Sequence, residues 1–323
     1  MKNQKPVTVS IGVPVYNGGK FLYECLESIL KQTFEDWQCV IVDNQSTDNS
    51  NQIAHEFAVK DNRFKVIKNK EFVPLADNWN NAFLHANPNA RYYKLLQADD
   101  WMFPSFLEEC IKVFEKNKSI GVVSSYRLAG SQVDGCGLDI YEGNVFNGQK
   151  ILYQQLTRKL DISGDISTLM FSYDHLKKLE FYPRIFNGKY HIDTELFYDV
   201  CDISNVGFVY QVLSYTRRHP GSQTSTVVFR YNTFLQLNEA VLFRFKKDDK
   251  ELNRQYKKLR DAYACFYLMQ KIKKNKAYEW HKKHIDRKFS MEEYTKGFMK
   301  HNYFSRNSAK AIKKIGRIFS NSL

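Results

Sequence analysis

Several acidic side chains sit where apolar runs end. Asp43 follows Cys39-Val40-Ile41-Val42, with Asp48 shortly after it. Asp99 and Asp100 close the run Tyr92-Tyr93-Lys94-Leu95-Leu96-Gln97-Ala98. Asp193 and Glu195 open a helical pattern, and Arg217, Arg218 and His219 follow the apolar stretch 206–215. Carboxylates at the ends of parallel strands are the groups with which α/β proteins hold nucleotides and divalent cations. Guanidinium and imidazole groups suit a diphosphate.

The elements that must carry these groups alternate. Val7–Val15 is apolar and rich in β-branched residues, as in a strand covered on both faces, and Asn17-Gly18-Gly19 breaks it. Phe21, Leu22, Cys25, Leu26, Ile29 and Leu30 then recur at helical spacing. Further strands are expected at Trp37–Val42, Phe64–Ile67, Tyr92–Leu96 and Ile120–Ser124. Helices are expected after Ser46-Thr47-Asp48, from Pro74 and from Pro104. This alternation predicts an α/β fold, a mostly parallel Rossmann-like sheet flanked by helices. Beyond residue 124 it weakens. Residues 127–149 read as a Gly-rich loop or short hairpin, 151–160 and 191–201 as helices, and 167–173 and 206–215 as strands. From about residue 227 the pattern is helical and basic, clearest over 256–272. The chain therefore reads as an α/β body over 1–225 and a basic helical region over 226–323.

The segment 11–48, taken with Gln97-Ala98-Asp99-Asp100, resembles the family 2 glycosyltransferases, inverting enzymes with the so-called GT-A fold. The resemblance is strong over about 7–125 and moderate over 165–225. It implies that Asp43 reads the uracil of a UDP-sugar, that Tyr16 packs on the base and that Pro14 lines the same site. The family's DDGSTD appears here as Asp43-Asn44-Gln45-Ser46-Thr47-Asp48, so an acid and a glycine are replaced. The family's Asp-x-Asp appears as Gln97-Ala98-Asp99 followed by Asp100. The resemblance matches Asp99 to the acid that contacts the nucleotide and Mn²⁺ or Mg²⁺, and Asp100 to the extra acid at the metal. Asn80, within Asn78-Trp79-Asn80, supports the nucleotide pocket. Inverting transfer needs a carboxylate to take the acceptor's proton. The resemblance assigns this to Asp193, with Glu195 as rival. Arg217 and Arg218 face the diphosphate, and His219 reaches the metal. The acceptor is a glycan or lipid-linked hydroxyl, in surface polysaccharide biosynthesis of bacterial type.

Charge is unevenly distributed. Residues 1–225 hold 24 Lys+Arg and 26 Asp+Glu, whereas residues 226–323 hold 24 and 9, a net of +15. Such a region suits a polyanionic surface. Ala311, Ile312, Ile315, Ile318 and Phe319 fall on one side of a helix expected over 309–319, with Lys310, Lys313, Lys314 and Arg317 mainly on the other. That pattern suits an anionic lipid surface, or a solvated helix docked on the body. No recognition motif for nucleic acid is present, so a basic-arm nucleic-acid binder is the weaker alternative, and no nucleic-acid partner is expected. A non-catalytic nucleotide-sugar scaffold is the other alternative. Six cysteines at 25, 39, 110, 136, 201 and 265 form no CxxC pair and read as small buried hydrophobes in a reducing compartment. Without a leader-like or membrane-spanning apolar run, the expectation is a cytoplasmic protein, peripheral at the cytosolic face of a membrane.

Overall fold

A computed structural model of the chain describes residues 7–135, 138, 143–157, 159–186, 191–222, 226, 233–245, 249–274, 276–284 and 288–300. The chain divides into two compact units, Met1–Arg218 and His219–Leu323.

The first unit is built on a ten-stranded sheet. Strand β1 (Val9–Val15) is buried at every position, which is why it is apolar without alternation. β2 (Trp37–Asp43), β3 (Phe64–Lys68) and β4 (Tyr92–Leu95) join it in parallel, in the order β3-β2-β1-β4. Helices α1 (Gly19–Leu30), α2 (Ser50–Lys60) and α3 (Leu75–Leu84) make the crossovers. A Cβ on Gly12 would lie 2.5 Å from the Tyr93 hydroxyl, so only glycine lets β1 pass beneath that ring. β5 (Trp101–Met102) precedes α4 (Phe106–Phe114), which buries Phe106, Leu107, Cys110, Val113 and Phe114. Each such side chain contributes about 1.5–3 kcal/mol when fully buried.

The sheet continues with β6 (Ile120–Ala129), which turns through Gly130 into β7 (Gln132–Asp134), the short hairpin expected within 127–149. β8 (Val145–Phe146) leads into α5 (Gly148–Leu156), shorter than expected because it closes at Thr157. The strand expected over 167–173 is different in form. A 3-10 turn occupies Ile166–Thr168, and only β9 (Met170–Ser172) is extended. β9 runs antiparallel between β4 and β6 and joins the two halves of the sheet. After the short α6 (Tyr173–Leu176), α7 (Ile192–Ile203) returns the chain to β10 (Asn205–Thr216), parallel to β6. The mostly parallel sheet flanked by helices is thus present, with antiparallel strands added at β5, β7, β8 and β9.

The second unit contains α8 (Phe234–Phe245), α9 (Lys250–Lys273), α10 (Lys276–His284) and α11 (Met291–Lys300). The Asp249 side chain caps α9 by accepting from Leu252 N, and Lys274 closes it in a left-handed conformation. Arg260 is buried. It donates to Glu239 at 3.0 Å, to Glu293 at 2.9 Å and to the Lys288 carbonyl at 2.6 Å. Tyr263 and His281, both fully buried, share a 2.7 Å hydrogen bond. No helix among the described residues is long and apolar enough to cross a membrane. The helix expected over 309–319 lies outside the described residues, as does Cys136. The other five cysteines are buried and unpaired.

Candidate active site

The carboxyl ends of β1, β2 and β4 meet at one edge of the sheet, because β1 lies between the other two. Three loops leave that edge. The first, after β1, carries Tyr16 to Gly19; Pro14 lies just before it, buried in β1 opposite Val42. The second, after β2, carries Asp43 to Asp48. They interlock: Asn17 N donates to Ser46 Oγ, Thr47 N to Asn17 Oδ1, Gly18 N to Ser50 Oγ and Gly19 N to Asp48. A Cβ on Gly19 would fall 1.9 Å from Asn49 Oδ1, so glycine is required at this approach.

Asp43 is fully buried and accepts from Ser46 N at 2.9 Å and from Asn51 Nδ2 at 3.3 Å. Its carboxylate anchors the loop from beneath and has no exposed surface. The two motif departures explain themselves here. Asn44 Nδ2 donates to Val73 O at 2.8 Å while Asn44 Oδ1 accepts from Val73 N at 3.0 Å. An aspartate could make only the second bond. Gln45 takes a positive φ of 63° and donates to the Asn69 carbonyl. Together they weld the segment 69–73 to the β2 loop. That segment presents Phe72, which is 58% exposed and meets Tyr16, 51% exposed, edge-on with ring centroids 4.9 Å apart. Sequence reasoning found Tyr16 and missed Phe72. An aromatic in a polar loop without periodicity was its only signal.

The third loop follows β4. Asp99 is partly exposed, whereas Asp100 is buried. Asp100 Oδ2 accepts from Ser167 Oγ at 2.6 Å and Oδ1 from Arg217 N at 2.9 Å. Burial, with Asp165 and Asp99 nearby, pushes its carboxyl well above the usual range. Each Asp100 oxygen thus accepts one hydrogen bond inside the protein. Among the described residues no cluster of three or more His, Cys, Asp or Glu could hold a metal. The donor set still fits Mg²⁺ or Mn²⁺, ions that can take a single carboxylate together with substrate phosphates and water. Asp99 is the more exposed of the two carboxylates on this loop.

Arg217 does not reach outward. Its Nε donates to the Asp99 carbonyl at 3.0 Å, its terminal nitrogen pairs with Glu24, and its guanidinium lies 4.4 Å from the Phe21 ring centre and 4.9 Å from that of Trp101. These contacts tie the loop after β4 to Glu24 of α1. Arg218 is exposed, its stem lying beside Gly130. His219 begins the second unit. Asn80 is also committed elsewhere: its amide donates to Phe186 O and accepts from Phe186 N, both at 3.0 Å. It clamps the chain at Phe186.

Asp193 lies in the first turn of α7 and accepts from Thr194 N at 2.8 Å. Burial raises its carboxyl above the ordinary aspartate value, and Asp165 adds to this. Glu195 is in the same turn, its backbone N bonded to His191 O at 2.9 Å. Asp165, Arg127, Ser167 and Lys94 were not singled out from the sequence. Lys94 is buried within β4 and donates to the carbonyls of Ile166, Ser167 and Leu169. Burial pulls it down to about 7. A lysine inside an apolar strand was a legible signal of an internal partner.

The glycosyl transferase family 2 model matches residues 10–175. The glycosyltransferase GlyG of Streptococcus pneumoniae is 32% identical over 118 residues, 36% of this chain and 38% of GlyG. The Escherichia coli protein WfgD, a UDP-Glc:alpha-D-GlcNAc-diphosphoundecaprenol beta-1,3-glucosyltransferase, is 26% identical over 54% of this chain and 67% of its own length. The chain thus spans about two fifths of GlyG and two thirds of WfgD. The mannosyltransferase PcManGT from Pyrobaculum calidifontis, solved with GDP-Man and Mn²⁺, superposes with a TM-score of 0.59. That superposition covers 98% of this chain and 81% of PcManGT at 16% identity, a likeness of fold, the GT-A architecture. Since the family match covers half of its length, this chain belongs to glycosyl transferase family 2.

Proposed function

We propose that the protein transfers a sugar from a nucleotide-sugar donor, UDP-linked, to a hydroxyl of a glycan or lipid-linked acceptor, with inversion. The observation that carries this is the convergence, at one sheet edge, of an exposed aromatic pair and a strand-end carboxylate. Tyr16 and Phe72 flank the base, with the Asp43 loop beneath them. Asp99 faces the diphosphate. A divalent cation bound there would neutralise the charge that builds on the leaving diphosphate. Asp193 takes the proton from the acceptor hydroxyl as that oxygen attacks the anomeric carbon and the nucleoside diphosphate departs on the opposite face. A buried carboxyl with a raised pKa is a stronger base than an exposed one, which supports Asp193.

The name of the E. coli relative supports a UDP donor and a lipid-linked acceptor, and that of PcManGT, solved with GDP-Man, supports Mn²⁺. Such an acceptor would be met at a membrane, and the basic residues 226–323 would favour an anionic leaflet. Equal binding of the full chain and a chain ending at residue 304 to anionic vesicles would remove the 309–319 helix from that role.

The donor and metal are tested by calorimetric titration with UDP, GDP and CMP, each with and without Mn²⁺, on wild type and Asp99→Ala. The expected result is Mn²⁺-dependent UDP binding that Asp99→Ala weakens about tenfold or more, the loss of a charge-assisted contact. No nucleotide binding under any condition would overturn the nucleotide-sugar reading, for enzyme and scaffold alike.

A further inference from the structure

Two segments distant in sequence, β6 and β10, converge with a local turn on one side chain that no motif points to. Asp165 ends the loop before the 3-10 turn at 166–168. Its Oδ1 accepts from Ser167 N at 2.9 Å and from Thr168 Oγ1 at 3.4 Å. Its Oδ2 accepts from Arg127 Nη1 and from Thr216 Oγ1. Arg127 lies in β6 and holds Asp134 of β7 with its other edge, through Nε at 3.1 Å. Thr216 ends β10. All four neighbours are drawn together by one carboxylate, 13% exposed.

The pattern acquires meaning from what those neighbours do next. Ser167, oriented by Asp165 through its backbone, donates its hydroxyl to Asp100. Arg217, which follows the Thr216 that Asp165 holds, donates its backbone N–H to the other oxygen of Asp100. The same Arg217 donates Nε to the Asp99 carbonyl. Gln97 N donates to Ser167 Oγ at 3.2 Å, so the start of the 97–100 loop is tied to the same turn. Lys94 fixes the turn from below through three carbonyls. The ties from Ser167 and Arg217 thus run through a residue bonded to Asp165, or next to one that is, whereas Cys25 Sγ reaches Gln97 O at 3.5 Å independently.

We propose that Asp165 is the positioning residue of the active site, setting the orientation of Asp99 by holding both donors to Asp100. It acts through Ser167 on one side and Thr216–Arg217 on the other. The proposal rests on the reading of Asp99 as the group that meets the donor's cation-bound diphosphate. It predicts that damage at Asp165 weakens the metal-dependent part of donor binding and leaves the metal-independent part alone. A purely structural role would lower both together.

The test uses the full chain and UDP, with and without Mn²⁺, by calorimetry, together with the thermal midpoint of the metal-free protein. Ser167→Ala removes only the hydroxyl link, and Asp165→Asn removes one of the two acceptor oxygens. The expected result is that each variant raises the Mn²⁺ concentration for half-maximal UDP coupling about tenfold, while metal-free UDP affinity changes less than twofold. The double variant should be no worse than the more damaging single one, because both act along one path. If Asp165→Asn fails to fold, Ser167→Ala carries the decision. An unchanged Mn²⁺ requirement, or equal loss of metal-dependent and metal-free binding, overturns the proposal. Multiplied losses in the double variant, about a hundredfold, also overturn it. Wild-type protein that binds UDP identically with and without Mn²⁺ overturns instead the reading on which it rests, and the proposal with it.

Discussion

Both units of this protein bury an arginine, and the two are surrounded differently. In the helical unit, Arg260 meets Glu239, Glu293 and a backbone carbonyl, with the Phe289 ring 4.2 Å away. Its charge is answered on the spot by two other helices and a loop. In the sheet unit, Arg127 lies among Asp134, Asp161, Asp165 and Asp193, and Asp165 also acts on Asp100. There the acids outnumber the cations Arg127 and Lys94. A balanced cluster joins elements together. An unbalanced one stores an appetite for positive charge, and it borders the carboxylate proposed to hold a cation. Burying charge without full compensation costs stability, so its presence on one side only marks where function is exerted.

The sharpest break in that comparison is Asp193→Asn. It keeps the shape and removes the base, so transfer should fall by a factor of about 10²–10⁴ with UDP affinity nearly unchanged. The pH dependence sharpens it further. Burial raises the Asp193 carboxyl in the folded chain, so the neutral form persists to a higher pH than for an ordinary aspartate. The base is lost as pH falls through that raised value. The acid limb of the rate profile should therefore lie above the ordinary carboxylate range and vanish in Asp193→Asn. An unshifted limb, or full activity in a folded Asp193→Asn protein, would remove Asp193 from the base role.

The balanced cluster should respond in stability and not in chemistry. Arg260→Met takes the guanidinium from buried Glu239, which still accepts from Tyr256 Oη at 3.1 Å; breaking a buried ion pair costs about 3–5 kcal/mol, read by denaturant unfolding of the full chain. Adding Glu239→Leu should restore part of that loss, while UDP binding to the sheet unit stays as in wild type. A smaller effect is expected at the base loop. Asn44→Asp restores the family's acid yet sets a carboxylate against the Val73 carbonyl, which Asn44 Nδ2 meets at 2.8 Å. A lost donor at a buried site costs about 1–3 kcal/mol. Metal-free UDP affinity should drop severalfold as Phe72 loses its support. Unchanged affinity would mean that the 69–73 segment does not contribute to the nucleotide slot.

The alternation of strands and helices through residue 124 was legible because each strand is long, apolar and closed by Gly, Pro or a polar cluster. The strand-end acids were legible for the same reason. What escaped was encoded in short pieces. β9 has three residues, too few to display a period, and its antiparallel insertion depends on partners far away in sequence. Asp165 looks like any acid after a glycine until Arg127 and Thr216 arrive beside it. Asn80, Arg217 and Asp100 were found as chemistry-bearing types in the right neighbourhood, yet their hydrogen bonds face inward. Residue type and spacing locate a site; they do not say which of its polar groups hold the scaffold and which face the ligand.

The three-residue strand β9 also governs the order in which the molecule can be assembled. Strands β1 to β4 pair with one another using only the first hundred residues of chain. The two halves of the sheet join only when Phe171 bridges Tyr93 and Val122. Asp100 acquires its second donor later still, from Arg217. A growing polypeptide would therefore complete its frame well before its reactive edge. The carboxylate loop would stay unfixed until nearly all of the first unit had been made, a long-range closure of the kind that slows folding.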